Sequence, residues 1–464
     1  MLVVFALILV LVIFTKAVNK PQIEAAASSV LGMDVRVNGR MGIVVSPAFG
    51  VSLENVSVRN GESRVATVEK MRIGLKLIPL MRREAAITQA EIIKPVFSLV
   101  RSKEGTFNFE KPGHTRSEKS FAVKRISISQ GNLVYTDEQS GATIEAGEFD
   151  STLRNLSSSG TDSAERFQKI SFTGDSRCKT LKINNLPLTN VVLRITAKNG
   201  IFDIDPISMN LFGGTGNGSI HVDMTGAAPD YWVVYVLNQF RIEELLQAYS
   251  LEKPPQNIME GPTNLSADLT ARGKNADELK RSLNGDLSLS GENLMLNNID
   301  IDALVAKYER SQNFNLVDVG AFFLAGPFGP VLTKGYNFAS LYEEAQGGEG
   351  IIRQLVSVWK VKDGIAEATD VALATKKYRI AMKGGLNFIT ERFDDVTVAV
   401  LDKRGCAVYS EKVQGPFREP QVEKVNIFES IAGPVLNVLN DAWELFQSKE
   451  GKVFYSGSVA QPEG

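Results

Sequence analysis

A chain of 464 residues with 44% hydrophobic content can bury a large core, and its net charge of −2 gives no global basic field with which to hold nucleic acid. Two histidines, His114 and His221, and two cysteines, Cys178 and Cys406, are too few and too scattered for a zinc site, so neither a metal nor another cofactor is expected. In an oxidising compartment the cysteines either form one bridge or remain two unpaired thiols; their spacing leaves both readings open.

The first fifteen residues, MLVVFALILVLVIFT, carry no charge, and Lys16 and Lys20 follow. A spanning helix needs about 20 apolar residues, which Met1 to Asn19 nearly supplies when Lys16 snorkels. A cleaved signal needs a basic start and a small-residue site close behind the apolar run. Here the basic start is missing, and the nearest Ala-x-Ala, Ala25 to Ala27, lies far downstream. A retained single-pass anchor over residues 1–19 is therefore expected, held by Leu2, Phe5, Leu9, Ile13 and Phe14. Lys16 and Lys20 then lie outside the cytoplasm, against the positive-inside tendency.

Next, PQIEAAASSVLG predicts a short helix, with Pro21 at its start and Gly32 at its end. The period then changes to two, the mark of strands with one apolar face. Val35 with Val37, Val51 with Leu53, Val56 with Val58, and Ile73 with Leu75 and Leu77 show it. So do Phe97 with Leu99, Ile126 with Ile128, Leu133 with Tyr135, Leu181 with Ile183, and Leu193 with Ile195. Asn60-Gly61, Asn199-Gly200, Gly213-Gly214, Asn284-Gly285 and Asp363-Gly364 read as turns between strands.

His114 to Ser120 and Ser157 to Glu165 read as polar loops, and the proline-bearing stretch Glu252 to Pro262 as a boundary between regions 20–251 and 252–464. Helical inserts are expected after the cap Asn275, over ADELKRSL, and over Ile301 to Glu309. A longer helix follows Asn426, with Glu429 placed for a capping box and Pro434 kinking or restarting it. Its apolar stripe is expected to pack on its own domain.

Catalysis finds little support. The glycine run from Gly213 to Gly218 lacks a lysine at phosphate-loop spacing and reads as a hairpin turn. Asp203/Asp205, Asp300/Asp302 and Asp394/Asp395 read as polar strand faces or helix caps rather than an acid/base couple. No enzyme activity is expected.

The block LGMDVRVNGRMGIVVSPAFGVSLENVSVRNGE, continuing through VATVEKMRIGLKLIPLMRREAAITQAEIIKPVFSLVRSKEGTFNFE, resembles the amino-terminal region of the AsmA family. LSADLTARGKNADELKRSLNGDLSLSGENLMLNNIDIDALV and VKDGIAEATDVALATKKYRIAMKGGLNFITERFDDVTVAV are similar to its carboxy-terminal signature. The resemblance implies an inner-membrane protein of Gram-negative bacteria, single-pass, with its bulk in the periplasm. It implies a transmembrane helix followed by a long curled antiparallel β-sheet, mainly β, with few short helices and a C-terminal helix. It also implies movement of phospholipid toward the outer membrane, or a part in outer-membrane assembly. The basic residues usual before the family's anchor are absent, and the chain is much shorter than the family's longest bridges.

A sheet with one apolar face must cover it with another layer, fold it on itself or fill it with ligand. Helical patterns here are too few to cover so many strands, so an open groove for acyl chains is expected. The competing arrangement is a closed sandwich whose alternating residues meet across a core. The groove residues expected are Val56, Val58, Ile73, Leu75, Leu77, Phe97, Leu99, Ile126, Ile128, Ile195 and Val398, with face assignment open to reversal by a single bulge. About 20 strands at about 4.8 Å give a sheet on the order of 100 Å long, short of a full crossing between membranes. Phospholipid and the inner membrane are the expected partners. The alternative is a non-enzymatic assembly or scaffold factor that holds outer-membrane proteins by exposed strand edges.

Overall fold

Apolar and polar residues alternate through most of the chain, and among the described residues the structure resolves this pattern into twenty-one strands and four helices. The computed structural model describes residues 20–45, 49–75, 87–110, 121–158, 168–249, 259–311, 323, 348–417, 420–425 and 453–462. The fold is mainly β. The chain divides into two compact units, Met1–Leu211 with Asn217–Pro229, and Phe212–Gly216 with Asp230–Gly464. The expected boundary at Glu252 to Pro262 falls inside the second unit; residues 252–258 lie outside the described residues.

The first unit opens with α1 (Lys20–Leu31), followed by β1 (Asp34–Val37), β2 (Met41–Val44), β3 (Gly50–Asn60) and β4 (Ser63–Leu75). Then come β5 (Ile87–Arg101), β6 (Phe121–Asp137), β7 (Thr143–Ser158), β8 (Ser171–Ile183), β9 (Leu186–Lys198) and β10 (Ile201–Leu211). Helix α1 runs as its sequence predicts, with Pro21 in the first turn and Gly32 past its end at φ 67°. It buries Ile23 and Ala27. Its polar side chains serve the edge of β1: Glu24 Oε1 accepts from the Val37 N–H at 2.7 Å and Ser28 Oγ from the Val35 N–H at 2.9 Å. Otherwise those donors would be unmet at a strand margin.

β1 and β2 lie end to end along β3, and from β3 to β10 each strand pairs with the next. Among the described residues β1 and β2 register only with β3, not with β10, so this ladder does not close into a barrel. One pair corrects the antiparallel expectation: β5 and β6 run parallel, Ile92 beside Ile128 and Phe97 beside Leu133. Parallel neighbours cannot be joined by a tight hairpin. The strands are joined by residues 102–120, of which 111–120, including the stretch His114 to Ser120, lie outside the described residues.

β11 (Gly214–Asp223) is divided between the units. The turn before it is Phe212-Gly213, so the glycine run expected as a turn is mostly strand. The second unit holds β12 (Asp230–Arg241), α2 (Ile242–Tyr249), β13 (Met259–Glu260), β14 (Pro262–Arg272), α3 (Ala276–Arg281), β15 (Asn284–Leu296) and α4 (Ile301–Ser311). It continues with β16 (Gly350–Lys362), β17 (Ile365–Ala374), β18 (Arg379–Asn387), β19 (Arg392–Leu401), β20 (Ala407–Pro416) and β21 (Gln421–Val425). All pair antiparallel: β12 with β14, then successive neighbours to β21, with β13 beside β15. Asn275 caps α3 as expected, its Oδ1 accepting from the Glu278 N–H at 3.0 Å. Asn284-Gly285 is a correction: it begins β15 rather than forming a turn, and the reversal falls just before it at Ser282 and Leu283. The helix end has already turned the chain.

In this unit one end of β17 to β19 is buried on both faces, as the unbroken runs 371–374, 379–382 and 398–401 show. The segment 453–462 supplies one cover, where Tyr455 and Val459 pack with Ala372, Ala374, Ala381, Ala399 and Leu401. Towards α4, Thr375 donates to Asp302, and Ser357 Oγ donates to the Phe323 carbonyl at 2.8 Å.

No helix among the described residues is long and apolar enough to cross a membrane. The expected anchor over residues 1–19 and the expected helix after Asn426 lie outside the described residues.

Candidate functional site

The apolar face of the first unit is continuous because its strands change phase together. In β3, Val51 and Leu53 are buried, and so are Val56 and Val58, although strict alternation would send the second pair to the opposite side. Asn55 absorbs the extra half-period by adopting φ 51°. Lys94 in β5, Gln130 in β6, Glu148 in β7 and Asn190 in β9 do the same at φ 47°, 53°, 50° and 52°. A left-handed residue other than glycine costs roughly 1–2 kcal/mol, and three of these residues have a polar partner on a neighbouring strand. Asp150 Oδ1 accepts from the Gln130 N–H at 2.9 Å, Lys94 pairs with Glu69 at 3.0 Å, and Lys179 with Glu148 at 2.9 Å. The result is a crease across the sheet on whose two sides the same face stays apolar.

Cross-strand register draws that face out row by row. One row runs through Ile73, Ala90, Ile126, Leu153, Gly174 and Ile195. Beyond the crease another runs through Val58, Ala66, Phe97, Leu133, Ala146 and Leu181. Gly174 leaves space for its neighbours: a Cβ there would lie 2.8 Å from Leu153 and 2.9 Å from Ile195. Where polar groups enter the face they satisfy one another, as Ser151 Oγ does with Ser176 Oγ at 2.8 Å. Such a pair exposes little unmet polarity.

Cover over this face is uneven. On β3 to β6 it is a packed core to which α1 contributes Ile23 and Ala27. Val56, Val58, Ile73, Leu75, Phe97, Ile126 and Ile128 all belong to that core, with Val58 at 0% exposure. Each is already in contact with protein. From β7 onward the cover is patchy: Leu156, Leu188, Val191 and Ala197 are buried, whereas Phe149, Leu153, Leu193, Ile195, Ile204 and Ile207 are half-buried, the first two against the core. Of the residues expected in a groove, Ile195 lies in this thinner region, and Leu99 is half-buried beside the core. Val398 stands apart in the second unit, at 0% exposure between Met382 and Glu411, and Leu77 lies outside the described residues.

Sequence reasoning passed over Phe149, Leu153, Ile204 and Ile207. Phe149 and Leu153 sit either side of polar residues in β7, whose phase breaks at both Glu148 and Asn155. Ile204 and Ile207 are three apart because β10 shifts register between them.

Other candidate chemistry resolves into structure. Both cysteines are free. The Cys178 thiol lies on the apolar face between Phe149 and Val191, donates to the Thr180 carbonyl at 3.0 Å, and is pushed above the usual thiol range by burial. Asp203 meets His221 Nδ1 at 2.5 Å, and Asp300 Oδ1 accepts from the Ala303 N–H at 3.1 Å at the start of α4. No group of three or more His, Cys, Asp or Glu among the described residues is arranged to hold a metal ion.

No curated protein and no solved structure matches the chain. A profile of the AsmA family matches residues 1–175 and 168–321. That match takes in most of the chain, including every strand of the creased apolar face, and the protein is a member of the AsmA family.

Proposed function

We propose that the thinly covered apolar face of β7 to β10 binds phospholipid acyl chains, and that the protein carries them within the cell envelope from an inner-membrane anchor at residues 1–19. The single observation behind this reading is the unbroken row that leaves a packed core at Ile126 and continues as half-buried Leu153, Ile195 and Ile204. Protein covers the row fully as far as Ile126 and only in part beyond it. Each methylene buried there contributes about 0.8 kcal/mol, so a lipid tail is held without a directional polar contact, and no position along a uniform row becomes a trap. Conduction of this kind needs no catalytic group.

The test is lipid extraction and mass spectrometry on the full chain purified in mild detergent, with Ile195→Asp and Leu193→Asp beside it. Co-purifying phospholipid, lost in both variants at unchanged melting temperature, is the expected result. Wild-type protein that is lipid-free and takes up no photo-crosslinkable phospholipid overturns the reading. A second reading, an assembly factor that pairs with nascent strands, draws on β2: it lies at the margin of the ladder, with Ile43 65% exposed. Crosslinks from Ile43 to barrel proteins, in protein without lipid, would favour it.

A further inference from the structure

The opposite face of β7 to β9 carries a different kind of site. Outward-facing residues there form their own cross-strand rows: Arg125 beside Arg154, Thr152 beside Asp175 beside Arg194, and Asp150 beside Arg177 beside Val192. Together they surround a depression of about 370 Å³ whose walls include Arg154, Arg177, Arg194, Asp150, Asp175 and Pro206. Pro206 enters because β10 shifts register between Ile204 and Ile207.

Three guanidinium groups and two carboxylates, Asp150 and Asp175, line this depression, so positive charge is in excess by one. Asp175 accepts from Arg154 and, at 3.0 Å, from Arg194 Nε, so one carboxylate serves two guanidinium groups. Arg177 makes no ion pair among the described residues. Asp150, its partner across the strands, already accepts the Gln130 N–H at 2.9 Å. Arg125 directly faces Arg154 on the next strand, a like-charge pairing that destabilises a sheet unless something offsets it. Each guanidinium offers five donors in a planar fork, and Arg154 and Arg194 each turn only part of that set toward Asp175. What remains is a set of forked donors converging on one hollow.

From this arrangement we propose that the depression binds a phosphate group, with Arg177 as its principal contact and Arg154 and Arg194 as flanking donors. A phosphate offers more acceptor oxygens than the Asp175 carboxylate and can take donors from all three forks at once. The hollow is larger than a bare phosphate ion and of the size that takes a small organic body, so the group is a monoester or diester rather than the free ion. The charged side chains lie on the opposite face of the sheet from the acyl-chain row, and Ser151, Ser176 and Leu193 of the same strands also border the depression.

Isothermal titration of the full chain in detergent tests it, with inorganic phosphate, glycerol phosphate and the deacylated diester glycerophosphoglycerol as probes. Saturable one-to-one binding of at least one probe is expected, weakened roughly ten-fold or more in Arg177→Ala with the melting temperature unchanged. Arg177→Lys, which keeps the charge and loses the fork, should fall between. Tightest binding of the diester assigns the site to a lipid headgroup; tightest binding of glycerol phosphate assigns it to a soluble phosphate monoester. Absence of saturable binding for all three probes at millimolar concentration overturns the proposal, as does equal affinity in wild type, Arg177→Ala and Arg194→Ala.

Discussion

The Tyr455 hydroxyl donates to Asp370 Oδ1 at 2.5 Å and accepts the Val459 N–H at 3.0 Å, and this one side chain seats the segment 453–462 on β17. Asp370 completes the clasp by accepting the Ser458 N–H at 3.0 Å through its other oxygen, and the Arg379 guanidinium lies 5.6 Å from the Tyr455 ring centre. Two extended pieces of chain are thereby joined by a buried phenol. Tyr455→Phe removes both bonds while keeping the ring, and should lower stability by about 1–2 kcal/mol. Urea unfolding checks the magnitude, and limited proteolysis should show earlier cleavage within 453–462.

The same clasp is sensitive to alkali. Burial, with the Asp370 carboxylate adding to it, pushes the Tyr455 hydroxyl up to about 12 from its ordinary 10.0. Folding thus favours the protonated phenol, and the stability this gives is fully present below pH 10 and lost as pH rises toward 12. Unfolding midpoints of wild type and Tyr455→Phe, followed through that window, should converge. A constant difference between them would show that the phenol proton does not hold the segment.

Val58 and Ile195 separate a folding lesion from a binding lesion. Both look like groove residues in sequence, yet Val58 is fully enclosed in the first unit's core and Ile195 is half-buried beyond it. Val58→Asp leaves a carboxylate without a partner in that core and should destabilise by more than about 3 kcal/mol. Ile195→Asp keeps water access, so its melting temperature should stay near wild type while bound lipid falls. Equal losses of stability in the two variants would mean that both strands are equally sealed.

How far the fold could be read in advance depends on phase. Val51/Leu53 and Val56/Val58 look like two short segments in sequence because their parity differs, and they prove to be one strand bent at Asn55. Ile126/Ile128 and Leu133/Tyr135 are likewise one strand, with Gln130 between them. Local alternation was therefore legible, and so were α1, α3 and α4, whose caps and flanking residues are local signals. Two features had no local signal. Strand direction at β5 and β6 is decided by the path of the connection, and the extent of cover over an apolar residue is decided by which distant element lies above it. Val398 shows the second point: its period-two surroundings resemble those of Ile195, but its end of the strand is packed on both faces.

Gln130 tests whether the crease is a stored cost. Its side chain is not needed for the bond from its N–H to Asp150, so Gln130→Gly keeps that contact and removes the penalty of a left-handed residue with a Cβ. The variant should gain about 0.5–1 kcal/mol, less than the full penalty because glycine also loosens the unfolded chain. Gln130→Val places a β-branched side chain in the same conformation and should lose more than about 1 kcal/mol. Chemical denaturation of the pair reads both signs. If the two variants shift in the same direction, the residue does not hold its left-handed turn in solution.

Cys178 offers a direct reading of what occupies the apolar face. Its thiol lies between Phe149 and Val191, and burial raises it above the usual range, so the reactive thiolate is scarce near neutral pH. Cys406 is buried in the second unit and should react more slowly still. Maleimide labelling of wild type should therefore be slow at pH 7, quicken as pH rises toward and beyond the ordinary thiol value, and fall to the slower rate of Cys406 in Cys178→Ser. Stripping bound lipid with detergent should accelerate it, and returning phospholipid should slow it again. Acyl chains lying along the row would cover the sulfur, whereas lipid bound elsewhere would leave the rate untouched. Labelling that ignores lipid in either direction would place the tails away from β8, and with them the groove.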